Sequence, residues 1–486
     1  MTVNGTSNDT FSPLLIRDAE VHGIRCDVRI GDGRILEIGE ELCPAGEDTV
    51  IDAGGGALLP GLTDHHLHLY ATAADLTSTI CGPPSVVTRV RLSETLRRAT
   101  PDGRGWIRGV RYHESVAGSL DAAALDALRA DVPVRVQHRS GALWMLNSRA
   151  AEAVGLDQAE HPGIERDGAG RATGRLWRAD DWLRSRLPRS EPPSLARLGQ
   201  LLAGYGIASV TDATPELAPE TVEAIGSAMA AGDLPQHVQL LGAPLDGPLA
   251  LASGTGPGLG PTTGPWKIVL ADSGLPNYDE LVAAIAAARH VGRAVAVHTV
   301  TRESLVLLLA VLEQIGALSG DRLEHAALVP ADLIPTIRRL GLRVVTQPGF
   351  IADRGGDYLR DLPAVDHADV YRCASLRAER VPLALSSDAP YGPLDPWAVM
   401  RAATLRQSQT GETLGSSERL TPGQALAGYL SPASHPGAAA TRVRPGAEAD
   451  LVLLRAPLHE ALAAFDAALV RLCIIGGTLV TPAPAE

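Results

Sequence analysis

Two histidines, His66 and His68 in Thr63-Asp64-His65-His66-Leu67-His68, are the first residues in the chain whose spacing could do chemistry. In an extended strand residues i and i+2 share a face, so both rings can converge on one point and grip a metal ion from two sides. His65 faces the other way. Further groups of the same kind follow at the ends of later apolar runs. Lys267 lies within Trp266-Lys267-Ile268-Val269-Leu270-Ala271, His298 closes Ala294-Val295-Ala296-Val297, His325 closes Arg322-Leu323-Glu324, and Asp388 follows Leu383-Ala384-Leu385-Ser386-Ser387. A lysine inside an apolar strand is costly to bury as a cation. Singly, each residue has a plainer role: His298 or His325 as a hydrogen-bonded core histidine, Asp388 as a helix N-cap before Ala389-Pro390, Lys267 as an ion-pair partner of Asp272 or Glu324. Jointly, four imidazoles, a carboxylate and an interior lysine at the same end of successive strands read as a metal site.

The elements that must position these residues alternate β-branched runs with Ala/Leu-rich helical stretches, the pattern of repeated βα units around a parallel sheet. Strands are expected at Ala57–Asp64, Ile207–Asp212, Val238–Gly242, Trp266–Ala271, Ala294–His298, Arg322–His325, Leu342–Gln347 and Pro382–Ser387, with helices such as Leu281–His290, Arg302–Ile315 and Leu328–Leu340 between them. About eight strands are what a closed (β/α)8 TIM barrel needs, and such barrels carry their chemistry at the C-terminal ends of the strands. Short β-like runs before residue 57, with a Gly31-Asp32-Gly33 turn, and again after residue 440 point to a β-sandwich made by both termini. The expected organisation is therefore a composite terminal domain over 1–57 and 440–486 and a barrel over 58–439. Residues 69–202 exceed one βα connection and are expected to form an α+β insertion after the first strand, covering the mouth. The Gly/Pro/Thr-rich Ser253–Gly264 reads as the loop before the fourth strand.

Composition narrows the partners. The chain has 486 residues, 45% hydrophobic and 20% charged, with a formal net charge of −13. That is ample for a large core, and the acidic balance without any long Lys/Arg run argues against nucleic acid. Five scattered cysteines, Cys26, Cys43, Cys81, Cys373 and Cys473, with no Cys-x-x-Cys, fit reduced thiols in the cytoplasm. A polar start and the lack of a membrane-length apolar run lead to the expectation of a cytoplasmic protein with no membrane partner, acting on a small molecule. A homodimer through outer helices is compatible with a large barrel.

The sequence resembles the amidohydrolase superfamily, in particular its amidohydrolase 3 or YtcJ-like subgroup, over nearly its whole length. The resemblance is carried by Pro60-Gly61-Leu62-Thr63-Asp64-His65-His66-Leu67-His68, by Trp266-Lys267-Ile268 through Ala271-Asp272-Ser273-Gly274, and by His298, Glu324-His325-Ala326 and Ser386-Ser387-Asp388-Ala389-Pro390. Asp395-Pro396-Trp397 and Pro445-Gly446-Ala447-Glu448-Ala449-Asp450-Leu451-Val452 belong to the same pattern. It implies a barrel beside a terminal β-sandwich and one or two divalent ions, with His66, His68 and Asp388 on one and His298 and His325 on the other. Lys267 would bridge them as its carbamate, an adduct with CO2 that replaces a buried ammonium by an anion two cations stabilise. It also implies Asp388 as the general base that takes a proton from the attacking water and hands it to the leaving nitrogen. Nitrogen ligands with carboxylate-type oxygens suit Zn(II). Asp64 and Glu324 adjoin ligands and are candidates to orient them, although a neighbour along a strand points the opposite way.

Departures from the subgroup touch the substrate side. His298 is followed by Thr299-Val300-Thr301-Arg302 where many members carry Ala-Ile-Gly-Asp. Ser140-Gly141-Ala142-Leu143 replaces Asp-Gly-His-Ser, and Gly174-Arg175-Leu176-Trp177-Arg178 ends in arginine where the pattern has an acid. Tyr112, Trp144, Arg178 and Gln347, with Arg139 and Arg175, are the expected substrate contacts, and solvated faces of the insertion are the alternative for the arginines. Hydrolysis of a non-peptide C–N bond in an amide, an N-formyl or N-acyl amine or a cyclic amide is the leading expectation. Deamination of a heterocycle on the same barrel is the alternative, which a carbamylated Lys267 would disfavour. A non-catalytic assembly protein is a third reading, opposed by the six filled ligand positions.

Overall fold

The structure is a computed structural model describing residues 13–480 except Glu47, 189–191, 247–259 and 271–273. The expected contributions of Asp272 and of most of Ser253–Gly264 therefore lie outside the described residues. The chain divides into two compact units, Met1–Leu69 with Ser194–Glu486, and Tyr70–Pro193.

In the first unit, the strands Leu14–Val21, Ile24–Gly31, Arg34–Gly39 and Thr49–Asp52 form one four-stranded sheet, and Leu58–Pro60, Leu451–Leu454, Val470–Ile475 and Thr478–Val480 form another. Ile24–Gly31 turns into Arg34–Gly39 through Asp32 and Gly33, both at positive φ, the two-residue hairpin whose twist matches the strands. Leu14, Ile16, Val28, Ile30 and Ile35 pack with Leu58, Leu451, Leu453 and Ile474 in one core, so the two termini share a hydrophobic interior. Main-chain bonds from Ile35 to Ala447 and from Ala449 to Gly33 tie them further.

The expected first strand, Ala57–Asp64, is two strands. Leu58–Pro60 pairs antiparallel with Leu451–Leu454, whereas Leu62–Leu67 pairs parallel with Ile207–Asp212. Gly61 makes the transfer because a Cβ there would lie 2.5 Å from the Ala208 Cβ.

Among the described residues of this unit, two parallel sheets make an α/β fold of the TIM-barrel type. Leu62–Leu67, Ile207–Asp212 and His237–Leu240, extended by Thr262–Thr263, make one sheet. Trp266–Val269, Val295–Thr299, Arg322–His325, Arg343–Thr346 and Leu383–Leu385 make the other. Between the sheets, the Lys267 N–H donates to the Leu241 carbonyl at one edge, and the Asp388 N–H to the His66 carbonyl at the other. Helix Tyr278–His290 starts with a capping box from Asn277 and Glu280, and helix Arg302–Ile315 with one from Thr301 and Ser304. The expected helix over Leu328–Leu340 is reduced to a 3-10 turn, Ala331–Leu333, and Ile334–Arg339. Leu328 bridges to Val370 and the Val329 N–H donates to Asp369, which holds the chain extended up to Pro330.

His237 binds the third strand to the terminal sheet, its Nε2 3.0 Å from Asp450 Oδ2. Burial pulls the His237 pKa down, but the hydrogen bond and charge of Asp450, with Glu448, leave it above the ordinary value. A histidine raised in the folded state contributes stability below its unfolded pKa and loses it as pH rises through the folded one. His237→Gln is therefore expected to lose more stability, relative to wild type, near pH ~5.5 than near pH ~9 in denaturant titrations. An equal loss at both values would remove the ionic contribution.

The second unit is a mixed six-stranded sheet in the order Ile164–Arg166, Ala172–Trp177, Leu143–Leu146, Val134–His138, Ile107–Tyr112 and Thr79–Ile80, with helices such as Arg89–Arg98. This unit spans Tyr70–Pro193, against the 69–202 read from the sequence. Helix Ala196–Gly204, placed in the insertion by sequence, belongs to the first unit, where its buried Leu198, Leu202 and Ala203 lead directly into the second barrel strand. Among the described residues no helix is long and apolar enough to cross a membrane.

Candidate metal centre

His66 and His68 stand at the C-terminal end of the first strand, with Asp388 beside them past the end of the eighth. Asp388 Oδ1 lies 3.5 Å from His66 Nε2 and 3.4 Å from His68 Nε2. These three donor atoms lie within 4.8 Å of one another. Lys267 Nζ is 3.4 Å from His66 Nε2. In the parallel register Val269 stands level with His298 and His298 with Glu324, so Lys267 sits two residues deeper than the imidazoles. His298 and His325 meet with ring centroids 4.4 Å apart, and His325 lies 4.7 Å from His66 by the same measure. The sequence-predicted set His66, His68, Lys267, His298, His325 and Asp388 is thus brought to one end of the barrel strands.

Backbone conformation aims two of them. His325 has φ +66° and Asp388 φ +54°, left-handed values that non-glycine residues seldom adopt and that commonly mark functional sites. The main chain is held there by the Asp388 N–H to the His66 carbonyl at 2.8 Å and the His68 N–H to the Ala389 carbonyl at 2.9 Å. Asp64 Oδ1 accepts from the His66 and Ser387 N–H groups, each at 3.2 Å, joining the first and last strands. Asp64 therefore orients backbone rather than an imidazole. Burial pushes its carboxyl pKa up to about 7.

The imidazoles are fixed through their second nitrogens. His66 Nδ1 bonds Glu324 Oε2, and both side chains are fully buried. An ionised carboxylate accepts, so Nδ1 carries the proton and Nε2 presents its lone pair toward Asp388. His68 Nδ1 is 3.1 Å from Thr214 Oγ1, and His325 Nδ1 is 2.8 Å from Gln347 Oε1. Glu324 also accepts from Arg322 Nε, and Arg322 is 1% exposed. Sequence reasoning placed Glu324 beside His325 and facing away from it. The carboxylate instead serves His66 on a different strand, and His325 reaches the same cavity because its left-handed φ turns it inward. Thr214 carried no signal in the sequence.

Electrostatics favour neutral imidazoles around an anion. Burial holds the His66 and His325 pKa values well below the ordinary histidine value. Burial acts to raise Asp388, but the His68 hydrogen bond and the His325, His66 and His68 rings hold its carboxyl well below the carboxylate range. Burial pushes Lys267 down to about 8.

The expected substrate contacts fare differently. Gln347 is 1% exposed, its Oε1 2.8 Å from His325 Nδ1 and its Nε2 donating to Ser386 Oγ at 2.9 Å, so it positions a histidine. Tyr112 is wholly buried in the core of the second unit, its hydroxyl donating to the Gly118 carbonyl. Trp144 is 5% exposed, its Nε1 donating to Asp180 and its ring faced by Arg108 and Arg135. Both are packing residues of that unit. Arg178 is exposed there, and Arg175 pairs with Glu165. Arg302, in the altered segment after His298, pairs with Asp366 and Asp369.

The His66 Nε2 lone pair, His68 Nε2 and the Asp388 carboxylate facing one another fit a divalent cation, which would take the place of the proton that His68 shares with Asp388. An α/β fold of the TIM-barrel type with such a set at its strand ends is that of a metal-dependent hydrolase. The sequence profile of the Amidohydrolase family matches residues 49–481, and the chain belongs to that family. It is 25% identical to the N-substituted formamide deformylase of Arthrobacter pascens, covering 88% of this chain and 89% of that one. It is 24% identical to the putative amidohydrolase YtcJ of Bacillus subtilis, covering 79% and 80%. Among solved structures, an uncharacterised metal-dependent hydrolase of Pyrococcus horikoshii superposes with a TM-score of 0.72 at 20% identity, covering 94% of this chain and 99% of that one.

Proposed function

We propose that this chain hydrolyses a non-peptide C–N bond of a small molecule, in an amide, an N-formyl or N-acyl amine or a cyclic amide. The observation that carries the reading is the convergence of His66 Nε2, His68 Nε2 and Asp388 Oδ1 beside Lys267. The formamide deformylase among its relatives supports the choice of bond. In this reading the parallel strands close into a complete (β/α)8 barrel. His66, His68 and Asp388 would hold one ion, preferably Zn(II), and His298 and His325 would hold a second, with Lys267 as the residue that would carry a carbamate. The metal supplies Lewis acidity toward water and the substrate carbonyl. Asp388, ionised, takes the proton released as water adds to the carbonyl carbon and passes it to the leaving nitrogen, giving a carboxylate and an amine. Glu324 keeps His66 in the ligating tautomer throughout. Five free cysteines, four of them buried, accord with a reducing compartment such as the cytoplasm.

The test is a screen of metal-reconstituted protein against N-formyl and N-acyl amines, cyclic amides and aminated heterocycles, with His66→Ala as control and intact mass measured alongside. Turnover of an amide together with a mass gain of one CO2, lost in acid and absent in Lys267→Met, is the expected result. Turnover confined to aminated heterocycles, with Lys267 unmodified, would replace this reading by a deaminase.

A further inference from the structure

Strand Ile207–Asp212 ends on a buried carboxylate that the chemistry above does not use. Asp212 is 1% exposed. Its Oδ2 accepts from the Leu69 N–H at 2.8 Å and its Oδ1 from the Thr214 N–H at 2.9 Å. Both oxygens thus receive main-chain donors. One belongs to the residue after His68, the other to the residue whose Oγ1 lies 3.1 Å from His68 Nδ1.

His68 is held on both sides as a result. Its own N–H donates to the Ala389 carbonyl at 2.9 Å, and the next N–H along the chain is the one that Asp212 binds. Thr214 is fixed in turn. The Ala213 N–H donates to the Leu67 carbonyl at 2.8 Å, and Pro215 keeps the residue before it out of the helical region. A Cβ at Gly242 would lie 2.0 Å from the Thr214 carbonyl oxygen, so the chain leaving His237–Leu240 passes this turn only as glycine. A hydroxyl both donates and accepts. Thr214 Oγ1 therefore serves Nδ1 while Nε2 shares its proton with Asp388, and serves it again when the proton moves to Nδ1 and Nε2 turns a lone pair toward a cation. Aspartate suits position 212 because two oxygens are needed. Asparagine has one, and its NH2 would face the other main-chain donor.

We infer that Asp212 is a positioning residue for His68, acting through the Leu69 main chain and the Thr214 hydroxyl to fix the direction of the imidazole. The inference rests on the reading of His68 as a metal ligand. In this role Asp212 touches neither ion nor substrate, and its effect passes through His68. Partners that orient metal-bound imidazoles typically change metal affinity ~10–100-fold when removed.

The experiment is competition with a chelator for zinc, on the full chain. Thr214→Val keeps the side-chain shape and removes the hydroxyl. It and Asp212→Asn are each expected to weaken zinc binding ~10-fold or more, whereas Thr214→Ser stays within ~3-fold of wild type. Because both residues act on one imidazole, Asp212→Asn/Thr214→Val should lose less than the product of the two single losses. A purely structural role would lower stability in denaturant titration of the metal-free protein and leave zinc affinity where it was. Thr214 is half-buried, so Thr214→Val keeps the test decisive even where Asp212→Asn does not fold. Wild-type affinity in Thr214→Val and Asp212→Asn while His68→Ala loses zinc would overturn the inference and leave the ligand reading intact. Equal losses in Thr214→Ser and Thr214→Val would overturn it too. Undiminished zinc binding in His68→Ala would remove the ligand reading and this inference with it.

Discussion

Asp388→Asn is expected to lower kcat/KM by ~10²–10⁴-fold on any amide the wild type hydrolyses, with the chain folded and its metal largely retained. Asparagine keeps the size and one carbonyl oxygen of the carboxylate but cannot take up a proton at neutral pH. It is also a residue that tolerates left-handed backbone, which matters because Asp388 sits at φ +54°. Alanine would add strain and a cavity to the chemical change and blur the result. The main-chain bond from residue 388 to the His66 carbonyl is untouched by the exchange, so the end of the eighth strand should stay beside the first. Steady-state kinetics with metal analysis on the same sample is the measurement. Wild-type turnover in Asp388→Asn would remove the proton shuttle from the mechanism, and loss of all metal would reduce Asp388 to a ligand.

The second large effect is expected at Glu324. Its carboxylate bonds both His66 Nδ1 and Arg322 Nε, all three side chains being buried. Glu324→Ala leaves the Arg322 guanidinium without its anion inside the barrel, a loss of about 3–5 kcal/mol by analogy with other broken buried pairs. It also frees His66 to adopt the wrong tautomer, so metal affinity should fall ~10–100-fold. The two consequences separate in Arg322→Met/Glu324→Met, which is expected to recover much of the stability and none of the metal affinity. Denaturant titration and competition with a chelator read the two quantities. Unchanged metal affinity in both variants would mean that Glu324 serves the fold alone.

The helical and strand periodicities reported the strands and helices of the α/β fold because each buried strand or helix face must be apolar regardless of what lies beyond it. The candidate ligands stand out in the sequence for a related reason: histidine, lysine and aspartate in or at the ends of apolar runs conflict with burial, and that conflict shows in sequence. Side-chain direction was not legible. Gln347 and Trp144 were expected at the substrate, yet their polar atoms are consumed by His325, Ser386 and Asp180. Tyr112 closes a core in the second unit. Nothing in the residue types distinguishes a polar side chain facing a ligand from one satisfied by a distant neighbour.

The sequence by itself determined which residues meet at the strand ends, since a parallel α/β fold carries the C-termini of its strands to one side and periodicity locates those termini. Tertiary structure alone decided how the residues are aimed. The left-handed turn at His325, the reach of Glu324 across to His66 and the support of His68 by Thr214 join segments far apart in the chain, or depend on a backbone angle set by packing. Local propensity encodes neither, because each arises from contacts that exist only once the strands are side by side.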